Sequence, residues 1–471
     1  MAITFETKNA DFSLRAYSSK SLLHRELIVT FLLENLKENP SEDVINNVTK
    51  PCNSDNEDIK ATRRCLRALW DYKVSKKTPI VLNVGESGST IRFMIPVSMA
   101  YLSFLEKNIE HEVLFETGGK LYDRPLDDLA LCLAPHGVEI GGVDETRTVV
   151  VKGSLEEGVY EISGLVSSQY ISGLLMALIM TTNSSIRLTS ELKSASYYEL
   201  TIDALERKQI VVNNEGGCYS IKLPESLDVK ASLEVEADWS ATAFLLCLAA
   251  VMPGNTGRIY GLYPDSKQGD RVIVDVLTKM GVSVTYGKDE NGSYVEATRI
   301  MKTADGIGSK AKSKVKSIDI DCKDFPDIVP YIAVCAASIL DDEGEAKPTV
   351  LRSIGRLKVK ESDRVAAMID HLALLGAKAI CDGENLYVYA ARGISNEIGN
   401  EDNDADKNDE TISLKAYNDH RMAMTSCLVS KASGKKVRLD NASCVAKSFP
   451  RMWEMLEDAG VLNIVSREED T

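Results

Sequence analysis

The run Tyr417-Asn418-Asp419-His420-Arg421-Met422-Ala423-Met424 sets Asp, His and Arg in direct succession at the head of an apolar, helix-like pattern. Three adjacent ionisable side chains are a poor way to build a core, because each must lose its hydration. A second dense cluster, Leu357-Lys358-Val359-Lys360-Glu361-Ser362-Asp363-Arg364, again stands ahead of an apolar helix. Together they predict a cationic, proton-transferring site for an anionic substrate.

Other segments have anion-binding composition. Ser18-Ser19-Lys20-Ser21-Leu22-Leu23-His24-Arg25 opens a helix, with Ser21 and Arg25 on one face and Lys20 beside the unsatisfied N–H groups of the first turn. A solvated first turn fits that segment equally well. Asn83-Val84-Gly85-Glu86-Ser87-Gly88-Ser89-Thr90-Ile91-Arg92 precedes a helix, and Gly88 lets a ligand approach the backbone closely. A plain capping turn is the alternative. It is not a Walker motif, since no Lys follows the second Gly. Lys120-Leu121-Tyr122-Asp123-Arg124-Pro125 places two cations before a helix. Ser167-Ser168-Gln169 and Ser194-Ala195-Ser196-Tyr197 offer hydroxyl and amide groups that suit a phosphate or polyol, or simply an N-cap. Asp324-Phe325-Pro326-Asp327 and Lys447-Ser448-Phe449-Pro450 stand before the segments from Ile328 and Met452. One of the two Asp residues would cap, the other would act as a base; alone, both segments read as ordinary helix starts.

The elements that must position these groups show one recurring pattern. An amphipathic helix ends at a Gly and a β-branched strand follows: 126–136 before Gly137, 272–280 before Gly281, 364–375 before Gly376, and 452–459 before Gly460. Gly at that position accepts the left-handed conformation that ends a helix. The recurrence predicts repeated α/β units rather than one doubly wound sheet. No G-x-G-x-x-G follows the first strand, so a dinucleotide fold is not supported. Residues 39–58, 306–316 and 395–410 read as polar surface insertions, the last too poor in EF-hand features to hold Ca²⁺.

Composition narrows the class further. The chain has 471 residues, 44% hydrophobic and 27% charged, enough for two or three domains. A net charge of −15 argues against general nucleic-acid binding. The longest apolar runs, such as 243–252, are too short to span a bilayer, and the first residues carry no signal-like pattern, so a cytoplasmic protein without membrane contact is expected. Ten Cys and five His are scattered without C-x-x-C or H-E-x-x-H spacing. No metal site is expected, and the thiols read as reduced.

Taken in order, these segments resemble the enolpyruvyl transferases, most nearly the EPSP synthase family. The likeness runs from Lys20 to Lys447, and Asp419-His420-Arg421-Met422-Ala423-Met424 and Lys360-Glu361-Ser362-Asp363-Arg364 are its most specific parts. It implies an α/β (α+β) two-domain fold, an inside-out α/β barrel, each domain being three βαβαββ repeats with helices packed inside. It implies one domain of residues 1–18 plus 238–471, carrying acid/base and phosphoenolpyruvate-binding residues, and one of 19–237 carrying shikimate-3-phosphate-binding residues, with the active site in the cleft between them. The implied reaction adds the 5-hydroxyl of shikimate 3-phosphate to C2 of phosphoenolpyruvate and then expels phosphate, with no metal or organic cofactor. The resemblance puts Lys20, Ser21, Arg25, Ser167, Ser168, Gln169, Ser194, Tyr197, Asp327 and Lys360 around shikimate 3-phosphate. It puts Lys20, Gly88, Arg124, Gln169, Arg364, Arg421 and Lys447 around phosphoenolpyruvate. Asp327 would take the 5-hydroxyl proton and Glu361 would protonate the methylene carbon, while Lys20, His420 and Lys447 would handle protons at the leaving phosphate. A monomer is implied.

Three positions depart from the family pattern. Gly85-Glu86-Ser87-Gly88-Ser89 replaces Gly-Asn-(Ala/Ser)-Gly-Thr, Leu23-His24 replaces Ser-Asn, and Arg356 stands where a small amide is common. These leave inhibition by glyphosate, which in that family occupies the phosphoenolpyruvate site, an open question. Two rivals remain: a UDP-N-acetylglucosamine enolpyruvyl transferase, disfavoured because 120–125 holds no Cys, and a non-catalytic phosphometabolite-binding homologue, disfavoured by retention of the whole acid–base set.

Overall fold

The computed structural model describes residues 1–53, 55–165, 167–191, 195–227, 233, 235–251, 254–299, 317–339, 347–391 and 410–468, with the backbone alone for 195–197. Ser194, the Tyr197 side chain, the segment 306–316 and all but the end of 395–410 therefore lie outside the described residues. The chain forms two compact units, one continuous (Ser18–Val235) and one made of Met1–Tyr17 with Glu236–Thr471.

The continuous unit holds helices α1 (Lys20–Asn35), α2 (Glu42–Thr49), α3 (Glu57–Ser75), α4 (Gly88–Leu105), α5 (Asp127–Leu133), α6 (Ser168–Ala177) and α7 (Ala195–Glu206). In its first sheet, Ile80–Gly85 runs parallel to His111–Thr117; next comes Thr148–Gly153, then Val138–Val143, both antiparallel to their neighbours. The second sheet repeats this scheme with Val159–Ile162, Ser185–Leu188, Cys218–Lys222 and Val211–Glu215. Helices α4 and α6 carry apolar residues on every face and are buried almost throughout. A helix of that composition belongs inside a core, so the helices are central and the sheets flank them.

The discontinuous unit holds α8 (Trp239–Ala250), α9 (Ile273–Lys279), α10 (Val329–Ile339), α11 (Arg364–Ala373), α12 (His420–Ser433) and α13 (Met452–Asp458). Three further four-stranded sheets follow the same order. Two of them use the chain's N-terminal strands. Ala2–Thr7 lies between Lys436–Leu439 and Leu462–Glu468, and Phe12–Arg15 pairs parallel with Thr256–Tyr260. The core is α8, α10 and α12, whose residues are buried on nearly all sides. Each unit has its own hydrophobic cluster.

All four helix–Gly–strand junctions are present. Gly281 (φ +83°) and Gly460 (φ +72°) take the left-handed conformation that turns the chain out of α9 and α13 and straight into a strand. One expectation fails: residues 39–58 are not a polar surface insertion. Ser41 caps α2, and Val44, Ile45 and Val48 are buried against the core. The spacing i, i+1, i+4 is a short helical face, diluted by its polar neighbours. Residues 243–250 of the apolar run fall in α8 as a core helix, and among the described residues no helix is long and apolar enough to cross a membrane.

Candidate active site

In the continuous unit the predicted residues gather at helix N-termini. Ser87 caps α4, accepting from Thr90 N–H, so the helix begins at Gly88 with first-turn N–H groups that have no partner within the helix. A Cβ built on Gly88 would stand 2.9 Å from Nη1 of Arg124 and 2.9 Å from Nη1 of Arg92. Two guanidinium groups thus flank a helix N-terminus at the one residue without a side chain, an arrangement suited to a carboxylate or phosphate. Arg92 also donates to Gln169 Oε1 at 3.1 Å and to the Gly88 carbonyl at 3.3 Å, which brings Gln169 of α6 to the same place. Ser167 is the N-cap of α6, accepting from Gln169 N–H, as its type suggested, and Ser168 is the first helical residue. Tyr170 anchors the loop before α5 by donating to the Pro125 carbonyl at 2.6 Å.

Lys20 begins α1 and pairs with Asp58 Oδ2 at 3.0 Å. Arg25 is buried: its Nε donates to Thr201 Oγ1 at 2.7 Å, its Nη2 to Ser172 Oγ at 3.2 Å and its Nη1 to the Ser21 carbonyl, and the guanidinium lies 5.1 Å from the Phe93 ring centre. Glu86, the acid that departs from the family pattern, turns towards Gly119, its Oε1 within 2.8 Å of where a Cβ would be. His24 is buried and meets Thr62 and Ser89.

In the discontinuous unit the two charge clusters meet on one side chain. Arg364, 1% exposed, starts α11. Its Nε and Nη2 donate to the two oxygens of Asp419 at 2.7 and 3.3 Å, its Nη1 to Asp327 Oδ1 at 2.9 Å, and its Nη2 to Glu361 Oε2 at 2.7 Å. Asp419 also caps α12 through Arg421 N–H at 2.9 Å and accepts from Ser362 Oγ at 3.0 Å. Lys360 Nζ and Arg421 Nη2 approach Asp327 at 3.7 and 3.8 Å. Arg421 Nη1 donates to the Tyr331 hydroxyl at 3.3 Å. His420 is the first residue of α12, buried, its Nδ1 at 3.9 Å from Asp419. Lys447 ends the 3₁₀ turn Ser443–Lys447, which packs on α12. Arg356 donates to the Lys323 carbonyl.

Charge sets the protonation states. Burial pushes the Asp327 carboxyl up, but Lys360, Arg421 and Arg364 outweigh it and hold the group well below the usual range. Burial likewise raises Glu361, and Arg364, with help from the backbone and Lys360, pulls it below normal. Asp270 behaves oppositely: burial and the charge of Asp327 push it up to about 7, against the pull of Arg421 and a hydrogen bond from Ser240.

Sequence reasoning did not single out Arg92, Asp58, Thr201, Ser172, Tyr331 or Asp270 as site residues. Arg92 stood at the end of the Gly-rich motif and could have been found by its four-residue spacing from Gly88. The others carry no local signal, because each reaches its site across the fold.

The family model for EPSP synthase (3-phosphoshikimate 1-carboxyvinyltransferase) matches residues 7–456. A 3-phosphoshikimate 1-carboxyvinyltransferase of Clostridium novyi is 29% identical, over 94% of this chain and 93% of that protein. Its counterpart in Brachyspira hyodysenteriae is 30% identical, over 98% and 99%. The solved EPSP synthase of Acinetobacter baumannii superposes with a TM-score of 0.68 at 18% identity, covering 99% of this chain and 100% of that one, so its two-domain fold is the fold found here. With the family's model spanning nearly the whole chain, and both of its charge motifs folded onto one buried arginine, this protein belongs to the EPSP synthase family.

Proposed function

We propose that this enzyme transfers the enolpyruvyl group of phosphoenolpyruvate to the 5-hydroxyl of shikimate 3-phosphate and releases phosphate. The observation that carries the reading is the pair of carboxylates, Asp327 and Glu361, held on the single guanidinium of Arg364. Such a pair can take a proton from one reactant and give a proton to the other.

In this reading Asp327 accepts the 5-hydroxyl proton as the oxygen bonds to C2 of phosphoenolpyruvate, and Glu361 protonates the methylene carbon to give a tetrahedral ketal. Glu361 then removes a proton from the new methyl group as the C2–O bond to phosphate breaks. Lys20, His420 and Lys447 handle protons at the departing phosphate. Gly88, Arg124, Gln169, Arg364 and Arg421, with Lys20 and Lys447, hold phosphoenolpyruvate. Ser21, Arg25, Ser167, Ser168, Asp327 and Lys360, with Lys20 and Gln169, hold shikimate 3-phosphate; Ser194 and Tyr197 are assigned to it by the resemblance alone. The domain of residues 1–18 and 238–471 supplies the acid and base, and the domain of 19–237 binds shikimate 3-phosphate. No metal or organic cofactor takes part, and the enzyme works as a cytoplasmic monomer.

The electrostatics give this scheme a trigger. Without ligand, the cations keep both carboxylates charged, which leaves Glu361 without a proton to donate. Anionic substrates on Lys360, Arg421 and Arg364 would add negative charge beside both carboxylates and share the cations that hold them low. Both pKa values then rise, making Asp327 a better base and Glu361 a competent acid. The test is phosphate release from purified protein given phosphoenolpyruvate with either shikimate 3-phosphate or UDP-N-acetylglucosamine. Release with shikimate 3-phosphate alone is expected. Release with the sugar nucleotide alone, or binding of shikimate 3-phosphate without turnover, overturns the assignment.

A further inference from the structure

The buried imidazole of His24 closes a ring of polar contacts around the start of α4. Its Nδ1 lies 2.7 Å from Thr62 Oγ1 of α3. Thr62 Oγ1 lies 2.9 Å from Thr90 Oγ1, which lies 2.7 Å from Ser87 Oγ. Ser87 Oγ is 3.3 Å from Ser89 Oγ, which returns to His24 Nε2 at 3.2 Å. Thr90 Oγ1 also donates to the Asp58 carbonyl at 3.2 Å.

The protons of this ring can be assigned. A carbonyl only accepts, so the single proton of Thr90 goes to Asp58, and Thr90 must accept from both Thr62 and Ser87. Thr62, having spent its proton on Thr90, accepts from His24 Nδ1–H. The Nε2 atom is then bare and accepts from Ser89. The ring is therefore neutral, with its proton on Nδ1, and the 3.3 Å contact between Ser87 and Ser89 is the one left without a proton. Burial, which pushes the imidazole pKa down to about 3, keeps it so.

We propose that His24 is a positioning residue for the anion pocket at Gly88. Through Ser89 on one side and Thr62 and Thr90 on the other, it fixes the first turn of α4 against α1 and α3, and thereby the placing of Gly88 between Arg92 and Arg124. The proposal rests on the reading of that pocket as the phosphoenolpyruvate site. An ångström of slack there is expensive, because two guanidinium groups must meet one anion at once. The hydrogen bonds of His24 run to Thr62 and Ser89 and to none of the residues assigned to substrate, so it is expected to govern phosphoenolpyruvate affinity and leave shikimate 3-phosphate affinity alone.

The experiment compares His24→Gln, His24→Asn, His24→Leu and Ser89→Ala. The Gln amide reaches the place of Nε2 and keeps the bond to Ser89, whereas the Asn amide reaches only the place of Nδ1. The expected order of KM for phosphoenolpyruvate is wild type, then Gln, then Asn, then Leu. Leu should stand about tenfold above wild type, and the KM for shikimate 3-phosphate should stay within about twofold. Ser89→Ala, a change that leaves the buried imidazole in place, should raise the phosphoenolpyruvate KM severalfold. It should have no further effect in the His24→Leu background. Calorimetric binding of phosphoenolpyruvate to each variant gives the same order independently of turnover, so failure of the proposed reaction is read separately from failure of this proposal. Imidazole ¹⁵N shifts of the wild type should report a bare Nε2, a protonated Nδ1 and no titration between pH 5 and 8. Equal weakening of both substrates, Gln no better than Asn, or a titrating imidazole would each overturn the proposal.

Discussion

Replacing Arg364 with Met keeps most of the buried stem and removes only the charged fork. The cost follows from what is left behind. Asp419, 0% exposed, loses two of the four donors it has here, keeping Ser362 Oγ and the Arg421 N–H. Removing one partner of a buried ion pair costs about 3–5 kcal/mol, because the other charge stays buried without compensation. Asp327 and Glu361 are about a fifth exposed, and Asp327 keeps Lys360 and Arg421, so these two add at most about 1 kcal/mol each. The expected loss is therefore about 3–7 kcal/mol at pH 7.5. The sign of its pH dependence is fixed as well. Asp327 and Glu361 have folded pKa values below their ordinary ones. Their stabilisation is full above the ordinary carboxylate pKa and fades as pH falls through the depressed folded values. Arg364 supplies part of it, so the gap between wild type and Arg364→Met should be widest near neutrality and narrow in acid. Urea unfolding followed by tryptophan fluorescence suits the measurement, since two of the three Trp residues, Trp239 and Trp453, lie in this unit. A loss below about 1 kcal/mol at pH 7.5, or a gap that widens towards acid, refutes the reasoning. The double variant Arg364→Met/Asp419→Leu should recover at least half the loss; a double variant no better than the single one would show that the stranded charge is not the cause.

Three further outcomes follow from the same geometry. Glu361→Gln should bind both substrates and lose about 10²–10⁴-fold in single-turnover rate; a near-normal rate would remove Glu361 from the acid–base role. Gly88→Ala places a methyl group 2.9 Å from both Arg92 and Arg124. It should raise the phosphoenolpyruvate KM with little change in Tm, whereas an unchanged KM would move the anion away from Gly88. Asp270 has a folded pKa raised to about 7, so the fold holds its proton more tightly than the unfolded chain, and stability falls as pH rises from about 4 through 7. Asp270→Asn should match wild type near pH 4 and exceed it by about 1–3 kcal/mol at pH 8; a variant less stable than wild type at pH 8 would contradict that ordering.

The fold was legible where its signals are local. Gly137, Gly281, Gly376 and Gly460 each announced a helix end and a strand start within a few residues, and all four junctions are where the pattern put them. Pairing was not readable from the residue pattern. Nothing in Ala2–Thr7 says that its neighbours lie more than 430 residues away, because alternation specifies a face and not a partner. The helix α2 was hidden for a different reason: three apolar residues among asparagines and acids look like loop composition until the periodicity is counted.

The residue types of the candidate site stood out in the sequence, but the way its charges pair did not. Asp419-His420-Arg421 and Lys360-Glu361-Ser362-Asp363-Arg364 read as a cationic, proton-transferring site for an anion, yet in the folded unit Asp419 is a buried helix cap and Arg364 is shared among three carboxylates. With Lys360 and Arg421 approaching Asp327, and Arg364 bonded to Asp327, Glu361 and Asp419, three cations and three carboxylates stand together there and nearly cancel. Proximity in sequence gave no hint of this, since Asp327 and Asp270 arrive from elements 37 and 94 residues before Arg364. The pocket at Gly88 is the other case: a Gly-rich segment of anion-binding composition in the sequence, it carries two guanidinium groups at a helix N-terminus. A near-neutral cluster is what carboxylates need if they are to change protonation during a reaction, because their pKa values then answer to the charge of whatever binds. A strongly cationic cluster would have kept them ionised throughout.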